Sequence, residues 1–250
     1  MKKKKLFLKA ALSMGLFLGF ASSSASASHL EITPQSEKIS KFSGVNSKYV
    51  NNNKEELINK MEELGVKKGK IKGLLKKIAN GKTLDSNNPE KVKAAKEELA
   101  LTLEHPKKEY EFEDGSVLKV SITPPSNENN LLKSDGPERS YSCGSGYCVY
   151  VDHKITASTA TLDAEAKVTF GLNYGAADNI SSMKELVVGV TGGTHSDKRI
   201  DIPRPTEDIY NDIPAIANGA FTVKYFGESY GTVEKLRLSV GSDTYNVFLY

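Results

Sequence analysis

From Ala160 to Tyr174 the chain alternates without interruption. Ala160, Leu162, Ala164, Ala166, Val168, Phe170, Leu172 and Tyr174 fall on one parity, and Thr161, Asp163, Glu165, Lys167, Thr169, Gly171 and Asn173 on the other. Successive side chains of a strand point to opposite faces, so this pattern predicts a half-buried antiparallel strand with one apolar and one wet face. Its length calls for a bend or a bulge. Further strands are predicted over residues 148–156, 185–191, 220–226, 233–240 and 244–250. Together they make a mainly β protein with a C-terminal antiparallel β-sandwich over 141–250. Pro203, Pro205 and Pro214 mark 196–219 as a long irregular excursion between strands.

A small α-helical segment precedes the strands. Leu57, Ile58, Met61 and Leu64 recur at helical spacing, and Ile71, Leu74, Leu75 and Ile78 repeat the pattern, which predicts a helical hairpin over 53–80. Asn53 is a candidate N-cap, while Gly65 and Gly81 sit where C-terminal glycines belong. A third helix is predicted over 91–103, entered through Pro89. Asp114-Gly115, between two alternating segments, predicts a hairpin. Residues 28–123 therefore read as a helical hairpin plus β-hairpin region, and 124–140, rich in Pro, Asn, Ser, Asp and Gly, as a linker before the sandwich domain.

The first 27 residues read as a signal peptide. Lys2 to Lys5 form a positive start, an apolar run too short to span a bilayer follows, and Ala25-Ser26-Ala27 is a small-residue exit. Removal of its five lysines changes a formal net charge of +3 into −2. A nearly neutral mature chain gives no argument for nucleic-acid binding, which needs a basic face. Residue 1–27 apart, no apolar run is long enough for a transmembrane span, and the expected location is extracellular by secretion.

Two cysteines, Cys143 and Cys148, flank Gly144 and Gly146. A secreted protein would join them in a structural disulfide across a tight turn; a redox or metal pair is the alternative, although zinc needs four ligands and only His153 is near in sequence. No metal or other cofactor is expected. The four histidines, His29, His105, His153 and His195, lack metal-ligand spacing and read as surface residues. Thr194-His195-Ser196-Asp197 contains triad residue types, but sequence neighbours cannot adopt triad geometry and no G-x-S-x-G elbow exists. Asp197, Asp201, Glu207, Asp208 and Asp212 could gather around calcium, without the EF-hand ladder of oxygens. The chain is thus read as a non-enzyme.

Two features point to contact surfaces. Lys67, Lys68, Lys70, Lys72, Lys76 and Lys77, with Lys82 beyond them, crowd the second helical stripe, and no acid occurs from Gly65 to Leu84. A cationic amphipathic helix can dock on an anionic bacterial envelope; the plainer reading is a solvated face that offsets Glu55, Glu56, Glu62 and Glu63. Tyr141, Tyr147 and Tyr150 surround the cysteine turn, and Tyr225, Phe226 and Tyr230 border a turn at Gly227 and Gly231. These rings can fill a receptor pocket or simply pack. The chain has no tryptophan, the strongest stacking platform for polysaccharide.

Leu64-Gly65-Val66, then Ile78-Ala79-Asn80-Gly81-Lys82-Thr83-Leu84-Asp85-Ser86, then Asp114-Gly115-Ser116, then a paired-cysteine β domain form an outline covering nearly the whole mature chain. It resembles a group of secreted, mostly uncharacterised proteins of Gram-positive bacteria, and more distantly the large secreted bacteriocins of the geobacillin type. The resemblance implies a leader, a helical segment ending in a turn with Asp-Ser, a DGS hairpin and a β-sandwich. Together with the leader and the cationic patch it supports action at bacterial cell envelopes, bacteriocin-like and antibacterial; the absence of any killing chemistry in the sequence supports the alternative, a non-toxic extracellular binding or matrix module at the producer's own surface. No binding residue carries over from it.

Overall fold

In the computed structural model, which describes residues 47–102, 104–125, 141–225 and 231–250, the alternating segment forms a twelve-residue strand, Leu162–Asn173. All described residues lie within the compact unit Ile39–Tyr250. The helices are α1 (Ser47–Asn52), α2 (Lys54–Glu63), α3 (Lys68–Ala79) and α4 (Pro89–Ala94), with a single 3₁₀ turn at Asp85–Asn87. The strands are β1 (Ala100–Leu101), β2 (Lys107–Glu111), β3 (Val117–Thr123), β4 (Tyr141–Gly144), β5 (Tyr147–Ser158), β6 (Leu162–Asn173), β7 (Asn179–Val190), β8 (Gly193–Arg204), β9 (Ala215–Tyr225), β10 (Thr232–Gly241) and β11 (Thr244–Leu249).

They form two antiparallel sheets. One runs β1-β11-β10-β9-β8; the other runs β2-β3-β5-β6-β7, with β4 added against β5. The inner faces share one apolar core, centred on Tyr150, Phe170 and Tyr245, whose rings lie 4.4 to 5.8 Å apart. The predicted irregularity of β6 takes the form of register shifts against both neighbours, at Tyr150/His153 on β5 and at two places along β7.

The helices bury a second core of their own. Leu57, Met61, Ile71, Leu74, Leu75 and Ile78 interlock there with Val117 of β3 and Ala160 of the β5–β6 turn. Gly65 and Gly81 end α2 and α3 with φ of +80° and +70°, a conformation that costs other residues a Cβ clash. Asn53 precedes α2 but does not cap it: its side-chain amide donates instead to the Tyr49 carbonyl at 2.9 Å. Tyr49 in turn donates its hydroxyl to the Thr191 carbonyl at 2.6 Å, docking α1 on the β7–β8 corner. That corner needs Gly192, which has φ of +65° and where a Cβ would come within 2.5 Å of the Tyr49 ring.

Two expectations are corrected. The excursion over 196–219 is largely strand: β8 covers 196–204 and β9 begins at Ala215. As an edge strand, β8 is bonded only to β9 and mostly exposed, so it carries no apolar alternation. Pro203 fits there because the register shifts between Asp201 and Arg204. The third helix ends at Ala94; the Leu99 and Leu101 side chains enter the sandwich core from a turn and from β1, which pairs with β11. Strand pairing also runs between the regions on either side of the predicted 124–140 linker. Lys119 to Thr123 of β3 pair with Lys154 to Ser158 of β5, so the hairpin region and the sandwich share one sheet. Residues 126–140, like the leader at 1–27, lie outside the described residues.

Cys143 and Cys148 are bonded, directly opposite one another in the β4–β5 hairpin. Loop closure over so short a span is worth about 2 kcal/mol. Reduction or Cys143→Ser/Cys148→Ser should lower stability by about that amount in urea unfolding without changing the far-UV spectrum of the folded state.

Candidate functional site

The lysine stripe divides once folded. α3 buries Ile71, Leu74, Leu75 and Ile78, so helical spacing throws Lys68, Lys70, Lys72 and Lys76 outward. Lys82, in the turn that follows, is exposed as well. Among the described residues none of these five has a carboxylate within salt-bridge distance. Gly69 and Gly73 lie on the same face and place no side chain over it; a Cβ at either would meet open space. Lys67 and Lys77 belong elsewhere. Lys67 pairs with Glu111 at 2.8 Å, and Lys77 pairs with Asp85 and Asp114, both at 2.7 Å.

Lys77 thereby enters a clasp made of the two short Asp-Ser motifs. Asp85 accepts from Lys77 and also from Lys91 at 2.6 Å. Asp114 accepts from the Asp85 amide at 3.0 Å and from the Ser116 amide and hydroxyl at 2.8 and 2.6 Å. The Ser86 amide donates to the Ser116 hydroxyl oxygen at 2.9 Å, with both serines fully buried. Burial alone would raise the Asp114 pKa. The bonds from Lys77, the Ser116 hydroxyl and the two amides outweigh it and hold the carboxyl at about 2. The same competition leaves Asp85 lowered and Lys77 raised. These bonds tie the helices to the β2–β3 turn.

The acidic residues of 196–219 do not converge on a cation; no group of three or more candidate metal ligands occurs among the described residues. Asp201 accepts from the Asn218 amide at 3.1 Å on the outside of a sheet, and Asp208 closes a tight turn by accepting from the amides of Tyr210 and Asn211. Glu207 points inward. It accepts from the amides of Asp178 and Ser242 at 3.1 and 2.8 Å, while Asp178 accepts from those of Asn173 and Asp243. Two buried carboxylates thus stitch three loops together, and burial together with the Glu207 charge raises the Asp178 pKa above that of a free carboxyl.

His105 and His195 are exposed as expected, while His29 lies outside the described residues. His153 departs from the surface reading: it is only 4% exposed, set edge-on to Tyr150, and its pKa is lowered by burial. Thr194 to Asp197 lie along exposed β8 with no triad geometry. Of the tyrosines, Tyr150 is core and Tyr141 stacks beside it, whereas Tyr147 remains 44% exposed. Tyr225 packs edge-on to Tyr49, 5.7 Å between centroids; Phe226 and Tyr230 lie outside the described residues.

Two further places emerge from strand parity. Glu234 shares the inward face of β10 with Leu236, Leu238 and Val240. It lines a cleft of about 160 Å³ with Tyr49, Tyr225, Thr161, Thr232 and Lys82, where burial pushes its carboxyl up to about 7. The second place is a groove of about 750 Å³ over the outer face of β9, β10 and β11, walled on one side by α4. Asn218, Arg237 and Phe248 stand side by side across its three strands, and Ile216, Ser239 and Asn246 form the next row. Arg237 donates through Nε to the Asn218 oxygen at 2.8 Å and sits 5.5 Å from the Tyr250 ring centroid. Among the described residues, the Asn246 side-chain oxygen is buried with no hydrogen-bond donor.

No protein-family model matches the chain, and no curated protein matches it. Among solved structures, hypothetical protein lmo2686 from Listeria monocytogenes EGD-e is similar at 16% identity and a TM-score of 0.32, over 58% of this chain and 92% of that one. A likeness so slight carries no argument about fold or function. Among the described residues no helix is long and apolar enough to cross a membrane.

Proposed function

We propose that this is a secreted, non-enzymatic protein that acts at bacterial cell envelopes, with the outer face of α3 as its contact surface. The observation that carries the reading is the set Lys68, Lys70, Lys72, Lys76 and Lys82, exposed and without a carboxylate partner among the described residues. Lysines engaged in fold-stabilising pairs lose much of their attraction for an external anion; these keep theirs. The disulfide and the leader-like first 27 residues support an extracellular setting. The resemblance of the sequence outline to secreted Gram-positive proteins supports antibacterial action, and binding at the producer's own surface is a second form of the same contact.

Replacing Lys68, Lys70, Lys72 and Lys76 with glutamine keeps helix-forming side chains and removes four charges. Each lysine near an anionic surface contributes about 1 kcal/mol, so losing three contacts weakens binding to phosphatidylglycerol-containing vesicles or isolated Gram-positive walls more than about a hundredfold at low salt. High salt should have the same effect on the parent. Lys67→Gln, which breaks only the pair with Glu111, should change binding little. Equal pelleting of parent and fourfold variant at every ionic strength would reduce the face to solvated lysines.

A further inference from the structure

The groove over β9, β10 and β11 has features that the lysine face lacks, and it lies outside the reading above. Its lining carries three cations and four carboxylates, so it has no strong preference for a charged ligand. Several of those charges are already committed: Lys96 lies 3.5 Å from Glu97, Glu207 accepts backbone amides, and Asp212 accepts from the Ser242 hydroxyl at 3.3 Å. Glu90, Lys93 and Arg237 keep their charges, and beside them stands a set of aromatic and polar groups in fixed positions. Phe248 of β11 and Tyr250 just beyond it form a tilted aromatic pair with centroids 6.4 Å apart; they have the parity opposite to Tyr245, Val247 and Leu249 and are partly buried, packed against the edge of the sandwich core while lining the groove.

Arg237 is held between them and β9. Its Nε is used by Asn218, itself fixed by Asp201, so the guanidinium plane is oriented while its remaining N–H groups keep donor capacity. One row away, the Asn246 oxygen is a buried acceptor with no donor among the described residues, a deficit that usually costs about 1–3 kcal/mol and that a ligand N–H or O–H would remove. Apolar ring faces flanked by a planar donor and an unmet acceptor match a pyranose, which offers axial C–H groups to an aromatic ring and hydroxyl or acetamido groups around its rim. The groove's size also falls in the range of ligand sites rather than single-ion sites.

We propose that this groove binds a neutral oligosaccharide, with sugar rings against Phe248 and Tyr250, acceptor oxygens on Arg237 and a ligand N–H or O–H donating to the Asn246 oxygen. The probes are the tetramer of β-1,4-linked N-acetylglucosamine and cellotetraose, its hydroxyl-only counterpart, titrated into the isotope-labelled full chain and followed by amide and Arg Nε–Hε shifts. The expected result is saturable shifts confined to Arg237, Ser239, Asn246, Phe248 and Tyr250 and their neighbours, with Kd of about 0.1–1 mM for at least one probe. Preference for the N-acetylated tetramer would place an acetamido N–H on Asn246, and equal binding would place a hydroxyl there. Asn246→Leu and Phe248→Ala should each weaken binding about tenfold or more, which the shift map reads independently of either variant's stability. No saturable shift with either tetramer up to about 10 mM, shifts that map elsewhere, or a response only to an acidic polymer such as polygalacturonate would overturn the assignment.

Discussion

Asp114→Ala should cost about 3 kcal/mol at pH 7, because it strips one carboxylate from a clasp in which four donors depend on it. Lys77 would retain Asp85, but the buried Ser116 hydroxyl and the amides of Asp85 and Ser116 would lose their acceptor. In a folded unit of this size that corresponds to a midpoint lower by roughly 6–12 °C, measurable by calorimetry. The pH dependence gives a second check. The clasp holds the Asp114 carboxyl at about 2 in the folded state, against the ordinary 3.8 of a free aspartate, so its contribution is complete above about pH 4 and disappears as pH falls through about 2. The parent should therefore lose about 2 kcal/mol over that window, and Asp114→Ala should not. Equal acid sensitivity of the two proteins would show that the clasp does not govern acid stability.

Glu234→Gln should act in the opposite direction. The Glu234 carboxyl rises from 4.5 to about 7 on folding because it faces into the cleft, where the side chains beside it are Tyr49, Tyr225, Thr161 and Thr232, and Lys82 supplies the single nearby charge among the lining residues. The folded state then holds a proton that the unfolded chain releases, so the stability that this one group contributes is fully present below about pH 4.5 and is lost as pH rises through 7. The penalty at pH 8 is up to about 3 kcal/mol. Glutamine keeps the shape without the charge, so Glu234→Gln should match the parent near pH 4.5 and exceed it by up to that amount at pH 8. Denaturation curves at both pH values decide it; an equal difference between the proteins at the two pH values would mean that the carboxyl ionises there without cost.

The particular elements explain why some of this was legible in the sequence. β6 was plain because it lies inside a sheet with one face in the core, the circumstance that produces strict alternation. β8 was not, since an edge strand with both faces wet leaves no apolar period, and its prolines mimic a loop. The Asp-Ser and DGS motifs were visible as turn signals, but their meeting is a long-range contact: Asp85 and Asp114 are 29 residues apart and join only when the helices land on β3. Glu234 carried a readable signal, a carboxylate on the same parity as Leu236, Leu238 and Val240. The groove carried one too, in the aromatic residues Phe248 and Tyr250, whose parity is opposite to that of Tyr245, Val247 and Leu249. The lysine stripe was readable as charge, but not its division: the carboxylates that claim Lys67 and Lys77 come from β2, the hairpin turn and the 3₁₀ turn rather than from the neighbouring helix.

The central claim, that the outer face of α3 meets the envelope, is tested most directly by lysine footprinting. The full chain, free or bound to isolated Gram-positive walls, is pulsed with an amine-reactive acetylating reagent, and modification of each lysine is read by peptide mass spectrometry. Binding should protect Lys68, Lys70, Lys72, Lys76 and Lys82 several-fold, leave exposed Lys184 and Lys224 on the strands at their free rates, and lose that pattern in high salt. Protection centred on Lys184 and Lys224, or spread evenly over all exposed lysines, would contradict the account.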